Sequence, residues 1–185
     1  DQAGHAYYVV PPLSSIMRQP DELPVDGKVS DQLRMVATPG EYEPVSFVIR
    51  AAADVARYEL KPTALIAGTG VIPPANVDIK IVKCWFQSGT AWQDHHQSLG
   101  RRILTPELLL NDESLVKVDM EKQDNFLRIG KAGAAEYVVI SRPEARGGGS
   151  GLYPETTSVR DAPGLLPASL LKGKTKQFWV TVKVP

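Results

Sequence analysis

Apolar side chains recur along this chain mostly at every second position, in short runs. In residues 43–50 (EPVSFVIR), Val45, Phe47 and Ile49 share one face and Ser46 and Arg50 the other, with Val48 breaking the alternation. A period of two is the signature of a half-buried strand. Residues 56–60 repeat it, with Tyr58 and Leu60 inward, and Pro62 then ends the run or places it on a sheet edge. Residues 177–184 alternate without a break: Phe178, Val180, Val182 and Val184 on one face, Gln177, Trp179, Thr181 and Lys183 on the other. Residues 77–86 (VDIKIVKCWF) form the longest candidate. There Val77, Ile79 and Ile81 share a phase, and Val82, Cys84 and Phe86 continue on the other. Two readings are open: a β-bulge near Ile81 and Val82, or a strand covered on both faces. Shorter strands are expected at 33–37, 115–119 and 137–140.

Helical signals are few. Residues 105–110 (TPELLL) predict one turn, with Thr105 as N-cap and Pro106 at the first helical position. Residues 162–171 carry Pro163, Gly164 and Pro167 and read as an ordered but irregular crossing, and 146–151 (RGGGSG) as a flexible loop. Short strands separated by Pro and Gly turns predict an all-β chain. The expected architecture is an antiparallel β-sandwich, immunoglobulin-like or jelly-roll-like, with at most short helical turns and a single domain over residues 1–185.

Composition narrows the classes of function. The chain has 185 residues, 43% hydrophobic and 23% charged, an ordinary globular balance with length enough for a core. Its 15 prolines argue against a mainly helical fold. Lys and Arg total 21 and so do Asp and Glu, and that neutrality leaves no footprint for nucleic acid or an acidic membrane. No run approaches ~18 consecutive apolar residues, so no helix is expected to span a membrane. The single cysteine, Cys84, excludes an intramolecular disulfide without fixing the compartment, and in its apolar run it reads as a buried, inert thiol. A start at Asp1 fits a removed signal peptide or a cut chain equally well.

Several phrases in order carry a resemblance: residues 39–47 (PGEYEPVSF), 82–89 (VKCWFQSG), 104–112 (LTPELLLND), 115–119 (LVKVD), Asp161-Ala162, and 176–182 (KQFWVTV) with Val184-Pro185. Together they resemble the N-terminal β-sandwich of large bacterial proteins that carry a glycoside-hydrolase-like (β/α)8 barrel, over a span from about Tyr7 to Pro185. The resemblance implies an accessory or carbohydrate-binding module of a larger protein, secreted or periplasmic. Its partners would be a polysaccharide or oligosaccharide and the catalytic barrel of the same parent chain. It assigns no catalytic residue here, because the barrel would hold the chemistry.

The candidate chemistry agrees with a glycan partner. Sugar rings present flat C–H faces that stack on indole planes, which singles out Trp85, Trp92 and Trp179, with Gln87, Gln93 and Asp94 as hydrogen-bonding neighbours. The competing reading of Trp85 and Trp179 is cover by a loop or by another domain, and of Trp92 loop packing. Metal binding has weaker grounds. His95 and His96 are adjacent, and consecutive residues of an extended segment point apart. Asp112, Asp119 and Asp124, with Asn111 and Glu113, form an acidic stretch that would suit a structural calcium or would serve turns and caps. No other cofactor is expected. Glu41, Glu43 and Glu107 are the carboxylates a glycosidase reading would draw on, and nothing in their spacing selects a pair.

Overall fold

The computed structural model describes residues 4–88, 102–130, 135–141 and 159–185. Among them the strands run β1 (His5–Val10), β2 (Lys28–Val29), β3 (Tyr42–Ala51), β4 (Val55–Tyr58), β5 (Leu65–Ala67), β6 (Gly70–Ile72), β7 (Val77–Ser88), β8 (Arg102–Leu110), β9 (Val116–Asp119), β10 (Asp124–Ile129), β11 (Glu136–Val139), β12 (Ala168–Leu170) and β13 (Thr175–Lys183). Among the described residues helix is confined to two 3-10 turns, Pro74–Asn76 and Glu113–Leu115. The chain is all-β, and its sheets are antiparallel.

The two most regular alternating runs become neighbours. β3 and β13 pair antiparallel with Phe178 opposite Phe47, and the two rings stack with centroids 5.2 Å apart. Around them builds a six-stranded sheet in the order β2-β1-β3-β13-β7-β8. One face carries Ile49, Ala51, Ile81 and Phe178, and β4 and β12 cover it with Val55, Tyr58, Ala168 and Leu170. Val45, Val180 and Val182 continue that face under Met35 and Ile72. Near the β8 edge a third cluster, Leu110, Leu115 and Val116, gathers Trp85, Leu108, Val118 and Leu127 and binds in the three-stranded sheet β11-β10-β9. These smaller sheets laid on one large sheet are the sandwich-like layering that the alternation predicts.

The exception at Val48 has a cause. Val48 is 1% exposed and Ser46 0%, so the opposite face of β3 is covered as well. Ser46 Oγ donates to the Phe178 carbonyl and accepts from Gln177 Nε2. The segment through Gln19 and Pro20 crosses that side: the Gln19 carbonyl accepts from Thr175 Oγ1, and the Pro20 carbonyl from Thr175 N. β7 follows the second of the readings left open for it, since it keeps a regular register through Ile81 and Val82 and is half-buried or buried on both phases.

Three expectations are corrected. Residues 105–110 are not a helical turn but the greater part of β8; pairing with β7 outweighs the local capping signal, and Pro106 is tolerated because β8 is the sheet's edge. The bulge lies on β8, not β7: Lys83 faces Leu108 and Cys84 faces Pro106, which leaves Glu107 as the extra residue. Residues 33–37 form no strand; they join no ladder, so no cross-strand pairing supports the local preference.

Candidate functional site

Trp85 and Gln87 sit two apart on β7, so they share a face, opposite Thr105 and Ile103 of β8. The bulge turns Glu107 toward them. Trp85 Nε1 donates to Glu107 Oε2 at 2.8 Å, and Gln87 Nε2 donates to the same oxygen. No described residue hydrogen-bonds Glu107 Oε1 or the Gln87 side-chain oxygen. The indole is half-buried, packed against Leu110, Leu115 and Val116. The arrangement is a ring backed by the core, with a carboxylate and an amide fixed at its rim. Two of the sequence-predicted residues therefore converge, and their organiser is Glu107, weighed from sequence only as a catalytic acid. No local sequence signal marks Glu107, because the bulge that turns it exists only in the pairing of β7 with β8.

The other candidates fall differently. Trp92, Gln93, Asp94, His95 and His96 lie outside the described residues, in the stretch of sequence joining β7 to β8. Trp179 is on the other face of the large sheet, opposite Ser46 and Lys80, half-buried, with Nε1 donating to Thr181 Oγ1 at 3.2 Å. Trp85 and Trp179 thus do not share a surface.

The acidic stretch is occupied by structural bonds. Asp112 accepts from Ser114 N and Oγ through Oδ1 and from Arg128 Nη2 through Oδ2. Burial works against its charge, but the Ser114 and Arg128 bonds outweigh it and hold the carboxyl below the usual range. Asp119 caps a turn by accepting from Glu121 N and Lys122 N. Asp124, 1% exposed, binds Arg102 Nη1 at 2.7 Å. Glu113 takes Lys176 Nζ on both oxygens at 2.6 Å. Among the described residues no three His, Cys, Asp or Glu side chains gather as a metal-holding group.

Glu43 and Glu107 do not pair. β3 and β8 are separated by β13 and β7, three inter-strand spacings or ~14 Å. Glu43 lies opposite Val182, itself opposite Val77, so Glu107 near Lys83 is also ~20 Å farther along the strand. That exceeds the ~5–9.5 Å a glycosidic bond requires. Glu41 is engaged elsewhere, accepting from Thr38 N at 2.8 Å.

Sequence reasoning missed a second concave feature. A cavity of about 350 Å³ opens between β1, β3 and β4, lined by Tyr7, Phe47, Tyr58, Leu60, Ser30 and Asp31 among others. Its tyrosines are linked: His5 Nε2 meets Tyr7 Oη at 2.7 Å, and Tyr7 Oη meets Tyr58 Oη at 3.1 Å. Burial, and next the Tyr7 hydrogen bond, push the Tyr58 phenol above its ordinary range. The run HAYYVV of β1 has the aromatic content of a strand but no clean period, which is why it went unread. Among the described residues no helix is long and apolar enough to cross a membrane. No protein-family model matches the chain, and no curated protein matches it.

Proposed function

We propose that this chain is a non-catalytic, glycan-binding accessory module of a secreted or periplasmic bacterial carbohydrate-active protein of glycoside-hydrolase type. The observation that carries the reading is the Trp85, Gln87 and Glu107 cluster on the β7–β8 edge. Backed by core side chains, the indole is pre-oriented, so a sugar ring stacking on it orders little at the moment of binding. The free oxygens of Glu107 and Gln87 supply acceptors for sugar hydroxyls at the rim. Trp92, Gln93 and Asp94, in the sequence joining β7 to β8, are the further sugar contacts of this reading.

Affinity electrophoresis against a panel of soluble polysaccharides tests this. The chain is expected to be retarded by at least one polymer, and Trp85→Ala to weaken that retardation about tenfold or more. Absence of retardation by every polymer overturns the reading.

A second reading, a structural module seated on a neighbouring catalytic domain, draws on a different observation. Leu13, Val25 and Val36 are 81%, 82% and 93% exposed, all in the stretch between β1 and β3. Under this reading Trp85→Ala leaves glycan retardation absent in both proteins, while Leu13→Ser and Val36→Ser raise solubility without changing stability.

A further inference from the structure

β13 pairs with β7 only as far as Gln177 opposite Val82, and beyond that point β7 runs on with β8 alone. Asn125 fills part of the vacated lane at Phe86. Between the start of β13 and that plug lies a cavity of about 210 Å³, with Val82, Cys84, Leu104, Val118 and Met120 among its walls. For scale, a dry apolar cavity of ~150 Å³ takes one benzene ring.

Four charged residues line it: Arg18, Lys83, Glu113 and Lys176. Arg18 is spent on Asp26, with Nε to Oδ1 at 2.9 Å and Nη2 to Oδ2 at 2.5 Å. Lys176 holds both oxygens of Glu113 and also donates to the Ser169 carbonyl at 2.8 Å. Those two pairs are each neutral. Lys83 makes the balance positive: no described residue accepts a hydrogen bond from its ammonium, and the carboxylate that attracts it, Glu113, is already gripped on both oxygens by Lys176. A cation in that position, partly withdrawn from water, calls for an anion.

We propose that this cavity binds a small organic monocarboxylate, with its carboxylate on Lys83 Nζ and its apolar body among Val82, Leu104, Val118 and Met120. The size of the cavity fits an acid of benzoate or hexanoate dimensions. Burial, the largest influence on Lys83, holds its ammonium below the usual lysine range, and an anion in contact offsets that burial. The cavity shares Val118 with the cluster behind Trp85, but its charged residue is Lys83 and the proposal does not depend on glycan binding.

Titration with sodium benzoate and sodium hexanoate, followed by amide NMR, tests the proposal against benzyl alcohol and hexanol. The carboxylates are expected to shift the Lys83, Cys84 and Thr175 amides saturably below roughly 10 mM, and the alcohols to bind at least tenfold more weakly. Lys83→Met should weaken the carboxylates tenfold or more, with Lys83→Arg restoring them. Because Cys84 is the single cysteine, its modification by a thiol reagent gives a readout on the unaltered protein. Bound benzoate should slow it several-fold, and benzyl alcohol should not. Equal binding of acids and alcohols, full affinity in Lys83→Met, or unaltered Cys84 reactivity at saturating benzoate would each overturn the proposal. Should Lys83→Met fail to fold, the Cys84 comparison decides by itself.

Discussion

Asn125 binds both backbone groups of Phe86. Its Oδ1 accepts from Phe86 N at 2.9 Å and its Nδ2 donates to the Phe86 carbonyl at 2.7 Å. A side-chain amide here takes the place of the strand that β13 no longer supplies, and it joins the three-stranded sheet to β7. Both residues are buried, so the pairing has no water to fall back on.

Replacing Asn125 with Leu should therefore strand a buried donor and acceptor on Phe86. A loss of about 2–4 kcal/mol is expected, measurable by urea denaturation, with Asn125→Asp also destabilised because a carboxylate cannot donate.

Asp161 gathers three backbone N–H groups: Asn111 N on Oδ2 at 2.7 Å, and Asp112 N and Ala162 N on Oδ1 at 2.8 Å. It thereby fixes the crossing that precedes β12 against the end of β8. Asp161→Ala should cost about 1–2 kcal/mol, modest because the side chain is exposed, and should speed hydrogen exchange at Asn111 and Asp112.

The acid limb of stability follows from Asp26 and Asp112. Both carboxyls are held below 3.8, Asp26 chiefly by the Arg18 hydrogen bond. Below that value the unfolded chain takes up protons that the folded chain refuses. Stability from these groups is thus complete above pH ~5 and declines as pH falls through their folded values. Denaturation midpoints from pH 6 to 2 should drop, and Asp112→Asn should start lower and fall less steeply.

Cys84 gives the opposite sign. Burial pushes its thiol up to about 11 from 9.0. Folding keeps the proton on while the unfolded chain releases it, so this contribution is whole below pH ~9 and is lost as pH rises toward 11. The rate of thiol modification against pH should show its midpoint near 11 in the folded protein and near 9 in urea. Coincident midpoints would contradict the burial.

How much of this was legible beforehand differs by element. β3, β7 and β13 could be read directly, since a sheet face buried under a second layer imposes period two and Phe47, Ile79 and Phe178 record it. β8 could not: TPELLL carries local capping signals, and only the partner strand and the edge position make Pro106 acceptable there. Trp85 and Gln87 could be nominated by chemistry and by their two-residue spacing. That Glu107 joins them depends on a bulge, which is a count of residues on two strands and invisible on either alone. Lys83 carried no signal at all, because its lack of a hydrogen-bond acceptor among the described residues depends on how Arg18, Asp26, Glu113 and Lys176 are already paired.

The sequence by itself determined the class of fold, the central strands and which of their side chains face inward, because those depend on periodicity within a few neighbouring residues. Only the tertiary structure decided where β13 stops beside β7, how Asn125 closes part of that gap, and that Lys83 shares Glu113 with Lys176. Each of these is set by groups far apart in the chain, as Phe86 and Asn125 are, meeting where water is excluded, and no local pattern encodes the balance they strike.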